Sequence, residues 1–216
     1  MWMPERLQAS RHSRLLETTH PGITGAAFAA RAELADAHNR YTTSVSHHRH
    51  AASLELSAFL LGFCRTTKPA RVLDLGSGFS SYVLRLYGQE EDGATVASVD
   101  TDEAWLARTQ EFCADMGAGG GTFSLWSEFG GGFPQGSGYE LVLHDLGDMA
   151  IRVATLSQAL LFTSHPGNLI LDDVHKPGYG AHARRLVSAS ALWYLNLRQV
   201  TLDEGGRYSL LVHRFI

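Results

Sequence analysis

The chain has 216 residues, of which 44% are hydrophobic and 19% are charged. The hydrophobic fraction excludes a disordered chain, and the length excludes a disulfide-stapled miniprotein and predicts one large hydrophobic core. The 18 basic and 22 acidic residues give a formal net charge of −4. The basic excess typical of proteins that bind duplex nucleic acid is therefore missing, and we expect no nucleic-acid partner. The chain has only two cysteines, Cys64 and Cys113, which excludes a four-thiolate zinc site.

The apolar runs of the chain are short. The run at 58–64 is well below the roughly 20 residues that span a bilayer, so we expect no membrane partner. The first six residues lack the apolar core of a signal peptide. The sequence therefore predicts a cytoplasmic protein.

The first 50 residues differ from the rest and predict an N-terminal helical cap (1–50) in front of the main domain (51–216). An alanine-rich stretch at 26–38 favours a helix, and 44–50 is polar and rich in histidine. The apolar positions between 51 and 64 predict a helix that covers a sheet.

Strands and helices alternate regularly after this helix. Strands are predicted at 71–75, 95–100, 122–125, 140–144 and 168–172, and helices at 81–87, 102–116, 152–161 and 179–192. Asp102 is the predicted N-cap of its helix. Two final runs, 197–202 and 208–215, flank a hairpin signal at 203–206, and the glycine-rich segments 117–121 and 130–138 are predicted loops. This pattern predicts an α/β fold, with a doubly wound, mostly parallel seven-stranded sheet that ends in an antiparallel hairpin.

A glycine-containing turn follows the first predicted strand, with the sequence Asp-Leu-Gly-Ser-Gly-Phe-Ser-Ser from position 74. Its glycines let a ligand approach the backbone, and the free amides of the next helix favour a negative group. A nicotinamide-binding loop has the related pattern G-x-G-x-x-G, but Ser81 replaces the third glycine and the Asp74 carboxylate would repel a pyrophosphate. The turn favours a ligand with an amino or cationic group; a plain tight turn and a nucleotide-dependent redox site remain alternatives.

A second acidic residue, Asp100, ends the next strand, where a carboxylate can accept both hydroxyls of a ribose. Together with D-x-G-x-G, this residue makes 50–216 resemble the class I S-adenosylmethionine (SAM)-dependent methyltransferases. The resemblance implies that Asp74 and the 76–78 loop hold the methionine part, that Asp100 holds the ribose, and that the adenine pocket follows the third strand. The candidate cofactor-binding residues are Asp74, Gly76, Ser77, Gly78, Ser81, Asp100, Thr101, Trp126, Ser127 and Glu128.

Further acidic residues, Asp145, Asp172 and Asp173, follow the fourth and fifth predicted strands. Parallel strands end at one edge of the sheet, so these carboxylates should meet there, and Mg²⁺ or another divalent cation would relieve their repulsion. The run from Asp172 to Gly178 resembles the D-N-V-x-x-P-G of the metal-dependent catechol O-methyltransferase group, which implies that the three carboxylates are metal ligands. The alternative is that Asp172 caps a turn and Asp145 contacts only water or the cofactor.

The general base is left open among three residues. The catechol O-methyltransferase group often has Lys or His three residues after the first metal ligand, whereas this chain has Asp148 there. His144 and His175 adjoin the acidic residues and have a suitable intrinsic pKa. The histidines at 47–50 form either a polar loop or a lid over the cofactor, and the lid would make Tyr41 and His48 candidates for substrate contact.

We therefore predict a SAM-dependent methyltransferase that acts on an oxygen of a small-molecule acceptor, with metal assistance as an open point. The alternatives are a nicotinamide-dependent oxidoreductase and a cofactor-binding partner protein without catalysis. The sequence leaves the acceptor and the presence of a homo-oligomer open.

Overall fold

A computed structural model describes residues 5–129 and 138–214. In it, seven strands form one sheet in the order β3-β2-β1-β4-β5-β7-β6. The strands are β1 (Arg71–Leu75), β2 (Thr95–Asp100), β3 (Thr122–Leu125), β4 (Tyr139–His144), β5 (Thr163–Leu171), β6 (Trp193–Asn196) and β7 (Leu210–Arg214). Strands β1 to β5 are parallel, and β7 is antiparallel to both of its neighbours. The strand order reverses at β1, so the ligand crevice of such a sheet is expected at the carboxyl ends of β1 and β4.

Helices cover both faces of the sheet. They are α1 (Glu5–Thr19), α2 (Ile23–Ser44), α3 (Leu54–Thr67), α4 (Phe79–Glu90), α5 (Glu103–Asp115), α6 (Trp126–Phe129), α7 (Met149–Phe162), α8 (Pro177–Ala189) and α9 (Arg198–Thr201). Successive strand residues enter different cores. Leu141 and Leu143 belong to the core shared with α1 to α5, and Val142 belongs to the core shared with α7 and α8. This alternation decides which β4 side chains face which helices.

The described part of the N-terminal segment packs on the main domain through α2 and α3. A Cβ atom at Gly62 would lie 2.6 Å from the backbone nitrogen of Ala27, so only glycine lets the two helices approach this closely. Leu16, Ile23 and Leu34 are buried in the same core as the sheet. The division of the chain at 50/51 stays a prediction.

Most of the predicted elements are confirmed. The bounds of β1, β2 and β3 are those predicted, and Asp102 caps α5 by accepting a hydrogen bond from the Trp105 backbone N–H. Most of the predicted glycine-rich loop at 130–138 lies outside the described residues. No helix in the described ranges has the length and apolar character needed to cross a bilayer.

The predicted strand at 197–202 is wrong. The strand that pairs with β7 is β6, which ends at Asn196, and the short helix α9 follows it. The side-chain oxygen of Asn196 accepts the backbone N–H of Arg198 at 2.8 Å. This local hydrogen bond ends the extended backbone and starts a helical turn, although the apolar residues that follow suit a strand.

A histidine pair between α1 and β7 makes the fold sensitive to acid. The rings of His20 and His213 stack with centroids 5.3 Å apart. Burial, with a further contribution from His20, lowers the pKa of His213 to about 4. The unfolded chain binds this proton near pH 6.5, so the stabilisation is present above that pH and is lost as the pH falls toward 4.

We expect the His213→Gln variant to be less sensitive to acid than the wild type. Urea unfolding at pH 7.5 and pH 5 should show that the wild type loses about 2 kcal/mol more than the variant between these values, because only histidine gains a proton on unfolding. Equal losses would contradict the assignment.

Candidate functional site

The 76–78 loop is held between the ends of three strands. Gly76 has a φ of 108°, and its N–H donates to the carbonyl of Val99 at the end of β2. On the other side, a Cβ atom at position 76 would lie 2.3 Å from the carbonyl oxygen of Asp145, which follows β4. Both the backbone conformation and the close approach require glycine at this position.

The carboxylate of Asp100 fixes the loop to the end of β2. It accepts hydrogen bonds from the Ser77 backbone N–H at 2.7 Å and from the Ser77 hydroxyl at 2.9 Å. Its other oxygen accepts the backbone N–H groups of Thr101 and Asp102. The indole N–H of Trp105 donates to the Ser77 carbonyl at 2.7 Å. The structure thus brings Gly76, Ser77 and Asp100 together, as the sequence predicted.

Asp74 supports the loop from beneath. Its fully buried carboxylate accepts hydrogen bonds from the hydroxyls of Ser80, Ser81 and Ser98. Ser81 also accepts the Gly78 backbone N–H at 3.2 Å. Burial raises the pKa of Asp74 to about 6, although these hydroxyls oppose the shift. Asp74 and Ser81 therefore position the loop, and their predicted contact with a ligand stays a prediction.

The residues predicted to hold adenine lie after β3, in α6. Trp126 is half-buried and contacts the ring of Phe162, whereas Ser127 and Glu128 are exposed. The chain that continues from α6 at 130–137 lies outside the described residues. An adenine pocket at this place stays a prediction.

The acidic crevice lies beside the loop, at the ends of β4 and β5. The guanidinium of Arg152, from α7, contacts Asp145 and Asp173 through Nη1, with 3.0 Å to the Asp173 carboxylate. Lys176 pairs with the same Asp173 oxygen at 2.6 Å. Asp172 does not contact the guanidinium; one of its oxygens accepts the hydroxyl of Ser209 at 2.8 Å. Two of the three carboxylates therefore converge on an arginine.

These residues do not fit a divalent metal. One oxygen of Asp145 and one oxygen of Asp173 contact the Arg152 guanidinium, so a divalent ion between these two carboxylates would have to displace it. The other Asp173 oxygen accepts no hydrogen bond from the described residues and lies 3.4 Å from Nδ1 of His175. Within 5–129 and 138–214, no group of three or more His, Cys, Asp or Glu side chains is arranged to hold a metal ion. The structure therefore gives no support to the predicted metal site of Asp145, Asp172 and Asp173.

The charges in the crevice stabilise one another. Burial alone would lower the pKa of Arg152, but the carboxylates of Asp145 and Asp173 raise it above its ordinary value. Burial alone would raise the pKa of Asp173, but the hydrogen bond from Lys176 and the charge of Arg152 lower it. Asp173 and Arg152 are therefore charged at neutral pH, whereas burial raises the pKa of Asp145 well above its ordinary value.

His144 is not in the crevice, and its prediction as a base is corrected. Its side chain is fully buried, with Nδ1 3.0 Å from the Tyr179 hydroxyl and Nε2 2.9 Å from the Thr155 hydroxyl. Burial and the charge of Arg152 lower the pKa of His144 to about 3. The period of two along β4 could have shown this orientation, because His144 points to the same side as Val142.

The other two candidate bases lie nearer the crevice. Asp148 is the N-cap of α7, and one of its oxygens accepts the backbone N–H groups of Ala150 and Ile151 at 2.9 Å each. This capping role accounts for an acid at that position without catalysis. His175 is half-buried, with Nδ1 3.4 Å from the Asp173 carboxylate. Of the two candidate histidines, only His175 has a carboxylate beside its ring.

Two adjoining cavities open at the crevice, with volumes of about 410 and 760 Å³. Arg152 and all three crevice carboxylates line the smaller cavity, and His48 and His175 line the larger one. The two cavities share four lining residues, Arg49, Asp173, Lys176 and Arg207.

Arg207 holds the histidine-rich segment over the crevice. Its guanidinium donates to the backbone carbonyls of His48, Arg49 and Ala51 at 2.9–3.3 Å, and it pairs with Asp203. This arrangement supports the lid interpretation of 47–50. Neither Arg207 nor Arg152 lies in a sequence motif, so neither could be predicted as a site residue from the sequence.

The two residues predicted to contact substrate beneath a lid, His48 and Tyr41, lie in different environments. His48 is exposed and lines the larger cavity. Tyr41 is fully buried and packs against Phe79 and Phe112. Burial raises the pKa of Tyr41 to about 12, so its hydroxyl is neutral. Tyr41 is therefore part of the packing beneath the loop, with its hydroxyl beside Gly78, and its contact with substrate stays a prediction.

Comparison with known proteins identifies the fold. No protein-family model and no curated protein matches the chain. Solved structures do match over nearly the whole chain. The O-methyltransferase TomG from Streptomyces achromogenes is 12% identical, with 100% of both chains covered and a TM-score of 0.63. An O-methyltransferase from Bacillus cereus is 13% identical, with 96% of this chain and 97% of the other covered and a TM-score of 0.60. Rv0187 from MTB is 16% identical, with 99% of both chains covered and a TM-score of 0.61.

At these identities the likeness concerns the fold. The chain has the fold of the O-methyltransferases, and the predicted fold class is confirmed.

The close approach at Gly76 can be tested against a matched glycine. Gly93 also has a positive φ, 83°, but a Cβ atom there would meet nothing within 4 Å. We expect Gly93→Ala to cost about 1–2 kcal/mol from backbone strain alone, and Gly76→Ala to cost clearly more because its Cβ also meets the Asp145 backbone. Urea unfolding of both variants measures the difference. Equal losses would show that the loop can shift away from β4.

Proposed function

We propose that this chain is a SAM-dependent methyltransferase that methylates an oxygen of a small-molecule acceptor. One observation carries the proposal: the 76–78 loop is anchored to Asp100 at the carboxyl edge where the strand order reverses. Among the structures with this fold, TomG is in complex with SAM and the Bacillus cereus enzyme with S-adenosylhomocysteine (SAH). The anchored loop and the acidic strand end suit a ligand that has an amino group and a ribose.

The residues of the loop fit such a ligand. Its backbone approaches the edge of the sheet closely at Gly76, and no side chain at Gly76 or Gly78 blocks access. The Ser77 hydroxyl now donates to Asp100, and a ribose hydroxyl would take its place on the same oxygen. The adenine would lie beyond β3, near Trp126. The 1–50 cap would close the site from above.

The acceptor would bind across the two adjoining cavities, with its oxygen near Asp173 and Lys176, which line both. When bound, SAM supplies a methyl group on a sulfonium: its C–S bond breaks with the electron pair returning to sulfur as the new O–C bond forms. The protein's main task is to hold the acceptor oxygen in line. His175 takes the proton of that oxygen, and Asp173 beside Nδ1 stabilises the resulting imidazolium. We propose no divalent metal at this site.

Measurement of cofactor affinity tests whether the chain binds SAM at the 76–78 loop and Asp100. In Asp100→Ala we expect SAH affinity to fall about ten- to a hundredfold, because charged hydrogen bonds worth roughly 1.5–3 kcal/mol are lost. Asp92→Ala, a change at an exposed acid, is the control. Calorimetry with SAH and with NAD measures both affinities. Unchanged SAH affinity in Asp100→Ala would remove Asp100 from the site, and tighter binding of NAD would favour an oxidoreductase.

Measurement of turnover tests whether the chain transfers a methyl group to an acceptor oxygen with His175 as the base. With a panel of catechols and simple phenols, SAH formation should require an acceptor. His175→Asn should lower kcat by about 10²–10⁴-fold without changing SAH affinity, because only proton removal is lost. His182→Asn, on α8, is the control. If no acceptor is methylated while SAH binds, the interpretation as a binding protein without catalysis gains support. If His175→Asn keeps full activity, another base acts.

A further inference from the structure

Arg152 occupies the point where the carboxylates at the ends of β4 and β5 converge. It reaches this point from α7, and the residue is 8% exposed. Its Nη1 contacts Asp145 on one side and Asp173 on the other, and its Nε donates to the Gly147 carbonyl at 3.3 Å. Contacts on three sides fix the plane of the guanidinium.

An arginine suits this place for chemical reasons. Its guanidinium stays charged at every accessible pH, and its planar set of five N–H groups can serve several oxygens at once. Lys176 supplies the second positive charge, on Asp173. The negative charge that would otherwise call for a bound ion is therefore largely balanced by the chain itself.

One nitrogen of the Arg152 guanidinium is not used by these contacts. Nε and Nη1 are used by Gly147, Asp145 and Asp173, whereas Nη2 donates to none of the residues that the structure describes. Arg152 also lines the 410 Å³ cavity. Two N–H groups are therefore free to serve a ligand oxygen in that cavity.

We propose that Arg152 is the resident cation of this crevice: it stands where a divalent metal would bind, excludes that metal, and donates from Nη2 to the acceptor oxygen. The first part of the proposal, that Arg152 takes the place of a metal and excludes it, does not depend on the proposed methyltransferase function. The second part, that Arg152 donates to the acceptor oxygen, rests on that function. The free N–H groups stabilise the negative charge that develops on the oxygen as its proton leaves, which is the task that a metal performs elsewhere.

Mn²⁺ titration, followed by the loss of the free-ion EPR signal, tests the first part without any activity measurement. We expect wild-type protein to bind no Mn²⁺ up to about 1 mM. Arg152→Met frees the carboxylates and should bind Mn²⁺ at least tenfold more tightly than wild type, and adding Asp145→Asn should remove that gain. Arg185→Met, a change at an exposed arginine of α8, is the control.

Either of two outcomes would overturn the first part. One is stoichiometric Mn²⁺ binding by wild type that Asp145→Asn abolishes, and the other is a folded Arg152→Met that gains no affinity. Should Arg152→Met fail to fold, Arg152→Lys keeps a charge in the same place and should still exclude Mn²⁺. Binding of Mn²⁺ by Arg152→Lys with wild-type stability would count against the proposal.

Methyl transfer tests the second part. Activity should be unchanged by EDTA, and Arg152→Met should lower kcat at least tenfold while SAH affinity stays within twofold of wild type. Loss of activity on EDTA treatment, or full activity in Arg152→Met, would overturn this part. If no acceptor is turned over at all, the proposed function fails, and the Mn²⁺ titration still decides the first part.

Discussion

The site depends on one backbone junction, where Gly76 touches the carbonyl of Asp145. Two hydrogen bonds flank this contact: the Gly76 N–H donates to Val99, and the Asp145 N–H donates to Leu75. They tie the ends of β1, β2 and β4 together. The glycine loop proposed to hold the methyl donor and the crevice proposed to hold the acceptor are therefore built on adjacent residues. A transfer reaction that needs two ligands in line gains from such a fixed spacing.

Electrostatics divides the edge of the sheet into two regions. Around the loop, Asp74 and Asp100 accept hydrogen bonds only from hydroxyl and backbone N–H donors among the described residues, and the nearby Arg85 donates to Ser98 rather than to Asp74. In the crevice, Arg152 and Lys176 balance the carboxylates. The same edge can thus attract a cationic donor at one place and stabilise a developing oxyanion at the other.

The sequence predicted the sheet well because strand periodicity and glycine turns are local signals. The bounds of β1 to β3, the loop and the cap at Asp102 follow from residues within a few positions of one another. The misplaced strand at 197–202 shows the limit, since the hydrogen bond of the Asn196 side chain outweighed the apolar pattern. The cation found in the crevice could not be predicted, for a different reason. Arg152 lies on α7, and only the tertiary packing of that helix brings its guanidinium to the carboxylates.

A crystal structure of the protein grown with SAH and Mn²⁺ would test the account most directly. We predict SAH over the 76–78 loop with its ribose hydroxyls on Asp100, Arg152 still between Asp145 and Asp173, and no anomalous manganese peak in the crevice. SAH bound away from the loop would contradict the proposed function. A manganese ion between these two carboxylates, with the arginine displaced, would contradict the role given to Arg152.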